Sequence, residues 1–129
     1  MASYVVKAAL ESDGPTGILL FDEKTMYRGK AIRPGDEVFV FDSETQGGRG
    51  LCARGVAMAA RRGPGIRVAI EVRITAPAKR RLGRAELKPF RGLEGDRPET
   101  EIDWKLYRQA TNKIAGVSDA AAAYLDSHF

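Results

Sequence analysis

Cysteine, histidine and tryptophan occur once each in 129 residues, and these scarcities exclude a good deal. The single cysteine, Cys52, permits no intrachain disulfide, which suits a reducing cytoplasm. It falls in a predicted strand and reads as a small core residue instead of a nucleophile. One Cys and one His, His128, cannot build a zinc site, and His128 lies one residue from the last position, a poor place for a general base. The longest apolar runs are too short to span a bilayer. The opening MASYVVKAAL lacks the basic flank and long apolar core of a signal peptide. No polybasic run joins an amphipathic helix, so a membrane surface is not the expected partner. Gly47-Gly48-Arg49-Gly50 lacks the Lys-Ser/Thr of a P-loop, and no Gly-x-Ser-x-Gly elbow is present. A Ser/Thr–Lys arrangement stays open, because spacing alone does not bring those residues together.

What remains is an ordinary globular composition, 43% hydrophobic and 29% charged, with a net charge of +4. No repeat or linker divides it, so residues 1–129 are expected to form one domain. The charge is uneven. Residues 49–113 carry 16 Lys/Arg against 7 Asp/Glu, a net of +9, whereas the remainder carries 5 against 10, a net of −5. Such asymmetry suits a polyanionic partner, although a solvated basic face would look the same.

The stretch Ile32 to Ala60 is the most structured reading. Arg33-Pro34-Gly35-Asp36 is turn chemistry. Glu37 to Phe41 is a strand apolar on both faces. Asp42-Ser43-Glu44 then leads into the loop Gln46 to Gly50, and Leu51 to Ala60 is the next strand. Ser3 to Leu10 predicts a first strand, with Tyr4, Val6, Ala8 and Leu10 on one side and Lys7 on the other. Asp13-Gly14-Pro15 is a turn. Gly17 to Phe21 suits a short buried strand or a turn of helix equally. Asp22 to Lys30 is ambiguous, with Met26 and Tyr27 as its anchors. After the turn Arg62 to Gly65, Ile66, Val68, Ile70, Val72 and Ile74 alternate with more polar residues, which predicts a strand with one wet face, ended by Pro77. Lys79 to Arg84 is a basic connection, Ala85 to Phe90 a short helical turn, and Arg91 to Pro98 a loop. Thr100 is expected to cap a helix, with Asp103 completing a capping box. Ile102, Leu106 and Ala110 would form its core stripe, extended by Trp104 and Tyr107, with Lys105 and Arg108 on its polar side. Ser118 caps a last helix that turns Ala121, Ala122, Leu125 and Phe129 inward. Five or six mostly antiparallel strands followed by helices predict an α+β barrel.

Candidate binding residues cluster near the carboxyl end. Trp104, Tyr107, Arg108, Asn112 and Lys113 fall within ten residues of one another. Trp and Tyr offer flat faces for stacking a base. Arg108, Lys105 and Lys113 suit phosphate, and Asn112 can read a donor–acceptor edge. Trp104 and Tyr107 would serve equally to cover one end of the barrel. Ser43 would serve as a turn residue, and Arg49 as a solvated charge.

The run EVFVFDSETQGGRGLCARGVAMA resembles the strand–loop–strand of the PUA-like superfamily, which includes the EVE and YTH domains. Those families share an apolar strand ending in Ser, a glycine-containing loop and a Gly-apolar-x-x-Gly type strand. The RPGD turn resembles the Gly-Asp turn of EVE domains. Tyr4-Val5-Val6-Lys7 resembles their first strand, and LYRQATNKIAGVSDAAAAYL their closing polar stretch, short strand and capped helix. The resemblance implies a pseudo-barrel that takes a flipped base, often modified, into a pocket. Carried over by position, it marks Lys7, Ser43 and, as aromatic wall, Trp104. Ala8-Ala9 follows Lys7 where EVE domains show Ser-Glu-Pro and YTH domains Ser and Asn. One Trp cannot make a two-Trp cage, so a half-open pocket with one stacking wall is expected. The related ASCH domains include small hydrolases that use a Lys, a Thr and a Glu, for which Lys7, Thr75 and Glu71 or Glu44 are the counterparts.

The expectation is therefore a cytoplasmic PUA-like pseudo-barrel, without metal or cofactor, that binds DNA or RNA. One base, modified or not, would enter a cleft at the barrel mouth. Trp104 would stack it, Ser43 and Asn112 would bond its edge, and Lys7 would line the pocket. Arg49, Lys105, Arg108 and Lys113 would hold flanking phosphates. The alternatives are an ASCH-like hydrolase of modified nucleosides and a protein-interaction adaptor.

Overall fold

The alternating run after Arg62 becomes a strand, Arg67–Pro77, in the computed structural model, which describes residues 2–11, 15–44, 47–91, 97–108 and 111–129. It is the fifth of six strands: β1 (Ser3–Ala8), β2 (Ile18–Met26), β3 (Glu37–Asp42), β4 (Gly50–Arg62), β5 (Arg67–Pro77) and β6 (Lys113–Val117). They close a barrel in the order β1-β3-β4-β5-β2-β6. The β1–β3 and β2–β6 pairs are parallel; the other four are antiparallel. This is the expected α+β barrel. Among the described residues three α-helices accompany it: α1 (Arg84–Leu87), α2 (Pro98–Leu106) and α3 (Asp119–Asp126). Among the described residues no helix is long and apolar enough to cross a membrane.

Two apolar clusters explain why β1 and β3 lack a polar face. Tyr4, Val6, Phe21, Val38, Val40, Val68, Ile70, Val72 and Ile114 come from every strand but β4, which adds Ala53 and Ala57, and they fill the barrel interior. Val5, Phe39, Phe41, Ala115 and Val117 point the other way, against Leu87, Ile102, Leu106 and Leu125 of the helices. Alternating side chains thus serve two cores at once. Ile102 and Leu106 are fully buried, each contributing about 1.5–3 kcal/mol relative to exposure.

Several expectations need correction. Gly17 to Phe21 is not a buried segment: it opens the nine-residue β2, and Ile18 and Leu20 face solvent at 56% and 74% exposure. Only Phe21 there is buried, because period two sends its neighbours outward. The strand continues to Met26, and Tyr27 then packs on the helical core from a left-handed turn shared with Arg28. Ile66 precedes β5 and is exposed. Thr100 is not the N-cap of α2. Pro98 starts that helix, since a first-turn proline gives up a donor the helix does not use, and Arg97 stands at the N-cap position without a side-chain bond. The Thr100 hydroxyl instead donates to the Phe90 carbonyl, and Asp103, buried, pairs with Arg91 at 3.1 Å. Trp104 does not extend the core stripe, being 51% exposed. Ser118 does cap α3, accepting from Ala121 N–H at 3.1 Å. The expectations for Ala110, for Asp13-Gly14, for Gln46 and for most of the loop between Arg91 and Pro98 fall outside the described residues.

Candidate nucleic-acid interface

Lys7 and Lys113 stand opposite each other on β1 and β6. Both are buried. Lys7 lies on the outer wall of the barrel, on the same face as Val5 and beside Phe41 of β3, so it points into the layer under α2. There Lys7 Nζ donates to the Leu106 carbonyl at 2.9 Å, and Lys113 Nζ to the Lys105 carbonyl at 2.7 Å. The last carbonyls of a helix have no partner within it and carry its negative end, so two ammonium groups fit there. Burial still disfavours both charges. It lowers the Lys7 pKa, helped by Arg84 and opposed by Glu44. Lys113 is brought down to about 8 by burial, then by Lys7 and Lys24.

The backbone turns out of α2 at Tyr107, whose buried ring lies 4.9 Å below Lys7 Nζ. Its hydroxyl donates to Glu44 Oε1 at 2.7 Å, and Arg84 N–H donates to the same oxygen at 2.8 Å. Burial and the Glu44 carboxylate push the phenol pKa up, so Tyr107 stays a donor. The Arg84 guanidinium, exposed, sits 5.8 Å from the same ring. Gly83 lies close beside it: a Cβ there would lie 2.7 Å from Glu44 Oε1 and would push that carboxylate aside. Ser43 precedes Glu44. Its N–H donates to the carbonyl of Ala8, the last residue of β1, at 2.8 Å, so it follows β3 at the barrel end where β1 stops one residue after Lys7, and it is fully buried.

Trp104 is two residues from both Ile102 and Leu106, which at about 3.6 residues per turn sets it on the opposite, solvent side of α2. The Arg108 guanidinium covers its ring at 4.8 Å. Lys105 is tied down, donating to Glu101 at 2.9 Å and to the Gly116 carbonyl at 2.8 Å, with its amine over the Tyr27 ring. Burial raises the Glu101 pKa, but bonds from Ser118 and Lys105 outweigh that, leaving it below the usual value. Asn112, half-buried, leads into β6. Arg49 is exposed ahead of β4.

The fold therefore gathers Lys7, Lys113 and Ser43 at one barrel end, under the last turn of the helix that carries Trp104 and Lys105 and just ahead of Arg108. Arg49 stands with a different group, the connection after β5, described below. Sequence reasoning did not single out Arg84, offered Tyr107 as a stacking face or as a cover for the barrel end, and named Glu44 only in the hydrolase set. For the hydrolase set, the charged neighbours of Lys7 are Arg84 and Glu44, whereas Thr75 is exposed and donates to the Arg54 carbonyl on the β4–β5 wall. Among the described residues no three His, Cys, Asp or Glu side chains gather as metal ligands.

No protein-family model matches the sequence, and no curated protein does. Solved structures do. A protein from Rhodopseudomonas palustris is 16% identical, with 99% of this chain and 92% of that one covered and a TM-score of 0.66. The DUF55 domain of human thymocyte nuclear protein 1 is 14% identical, with 98% and 97% covered and a TM-score of 0.67. The human THYN1 protein in complex with DNA containing 5-methylcytosine is 13% identical, with 99% and 98% covered and a TM-score of 0.54. The fold is thus PUA-like and of the EVE type.

Proposed function

We propose that this protein binds nucleic acid and receives a single base, modified or unmodified, in a cleft where the end of α2 meets the ends of β1, β3 and β6. The observation that carries this reading is the Lys7 amine, 1% exposed and seated on a helix-end carbonyl above an aromatic ring. A methionine would fill that space without the cost of desolvating a charge. A buried cation kept at such a cost, beside a carboxylate and a phenol, is the signature of a working site more often than of a scaffold. A solved protein of the same fold is in complex with DNA containing 5-methylcytosine, which supports nucleic acid as the ligand class.

In this reading Trp104 and Arg108 form an exposed platform on which a base stacks, worth about 1–3 kcal/mol. Asn112, half-buried, bonds the edge of the received base, and the buried Lys7 and Ser43 form the layer beneath it, which the base reaches when the turn out of α2 gives way. Lys105, Arg108 and Lys113 supply positive potential to adjacent phosphates, as Arg49 does on the other side. Removing a base from a stack costs a few kcal/mol, so single strands and mismatched or modified sites bind best. The test is a panel of single- and double-stranded oligonucleotides, with and without modified bases. Trp104→Ala should weaken binding at least fivefold with an unchanged melting temperature. Lys7→Met should narrow the affinity range across the panel. Unchanged affinities in both variants would remove this site as the contact.

A further inference from the structure

A cavity of about 350 Å³ opens on the side of the barrel where β4 begins and β5 ends. Arg49, Lys79, Arg80 and Arg81 line it, with Leu51 and Cys52 in its wall and no carboxylate among the lining residues. Burial and the nearby Asp42 push the Cys52 thiol up to about 12, so it adds no negative charge at neutral pH. The backbone carrying these cations is held in place. Ala78 N–H donates to the Cys52 carbonyl at 3.0 Å, and Leu51 N–H to the Leu82 carbonyl at 2.8 Å. Lys79 N–H bonds the His128 carbonyl at 2.6 Å, and the Arg80 guanidinium bonds the Ser127 carbonyl. Arg49, Lys79 and Arg81 are exposed, Arg81 standing 3.6 Å from Glu86. Four cations around one hollow repel one another, and a bound anion relieves that repulsion.

The hollow also leads to the base site. Leu82 is a buried anchor; of the next two residues Gly83 lies alongside the Glu44 carboxylate and Arg84 N–H donates to it, beside Tyr107. A chain of phosphates crossing Arg49, Lys79 and Arg81 would therefore arrive at Arg84 and the ring of Tyr107. We infer that this hollow is a phosphodiester track, holding the backbone of the same strand whose base occupies the cleft. The inference rests on the proposed base-binding reading and adds to it a direction: the strand leaves the cleft past α1 toward the end of β5.

The test is the double variant Lys79→Gln/Arg81→Gln, compared with Lys79→Arg/Arg81→Lys, on the full chain. Affinity for a single-stranded oligonucleotide is measured across a salt series. Each phosphate contact contributes about 0.7 to the salt slope of a single strand, so the neutral double variant should lose about 1.4. At 0.1 M salt that is roughly a ten- to thirtyfold weakening, equal for every sequence in the panel, with the preference between modified and unmodified bases preserved. The charge-preserving variant should keep the slope. Wild-type binding with an unaltered slope in the neutral variant overturns the track and leaves the cleft standing. A lost slope in this variant together with indifferent Trp104→Ala and Lys7→Met variants keeps the track and removes the cleft. Failure of the wild-type protein to bind any oligonucleotide overturns both, and so does anionic lipid vesicles binding in its place.

Discussion

Replacing Lys113 by methionine isolates the charge that the fold holds at the greatest disadvantage. Lys113 is fully buried, and its pKa falls from the ordinary 10.5 to about 8, through burial first and then through Lys7 and Lys24. Between those values the unfolded chain keeps a proton that the folded chain has released. Stability therefore rises with pH across that window, and the penalty of the buried charge is complete below about pH 8. The whole difference is at most on the order of 3 kcal/mol. Above about pH 10 both proteins lose stability alike, because the unfolded Tyr107 phenol ionises while the folded one, with its raised pKa, keeps its proton. Urea unfolding of the wild type and Lys113→Met at intervals from pH 7 to pH 10 reads the difference. The wild type should gain roughly 2–3 kcal/mol relative to the variant over that range. Lys7 titrates in the same sense but is present in both proteins, so it largely cancels. Two stability curves that stay parallel across the window would refute the claim that this amine is held out of water.

Two smaller perturbations test the surrounding frame. Ser118→Ala removes the oxygen that accepts from Ala121 N–H and a hydroxyl that donates to Glu101, and should cost about 1 kcal/mol in thermal or urea unfolding. A cost near zero would mean that the α3 cap is replaceable by water. Cys52, with its pKa at about 12, should react with a thiol reagent at pH 8 far more slowly than the same residue in urea-unfolded protein. Equal rates would contradict its half-buried place in the wall of β4.

The parts of this fold that were legible are those where one periodicity had one cause. The alternation through β5 reports an inner barrel wall and a wet outer wall. The doubly apolar β3 reports an inner wall and a helical cover. β2 was illegible because Ile18 and Leu20, apolar by composition, face outward, while its buried positions are Phe21 and the polar Thr25. The start of α2 was misplaced because Thr100 and Asp103 imitate a capping box, whereas Pro98 had already opened the helix and Asp103 was needed for Arg91. At the site, Lys7 and Ser43 were marked by resemblance. Their partners came from distant parts of the chain: Tyr107 by the turn out of α2, and Arg84 by the stretch that sequence reading took only as a basic connection. No local spacing announces contacts of that separation.

The two basic groups also divide the labour that a flipped-base reading demands. Discrimination among bases needs groups that are shielded from water and fixed in direction, since an exposed donor finds water as readily as a base edge. The Lys7, Tyr107, Glu44 and Ser43 cluster has that character, because each is buried or held by a backbone or side-chain bond. Affinity for a polyanion needs the reverse, exposed cations whose counterions are released on contact. Arg49, Lys79 and Arg81 have that character, and so does Arg108 on the face of Trp104. Arg84 joins the two groups, its backbone bonded to Glu44 and its guanidinium in solvent. If a strand bridges cleft and track, Arg84 is the residue whose charge both affinity and base preference would register, while Lys79 and Arg81 register in affinity alone.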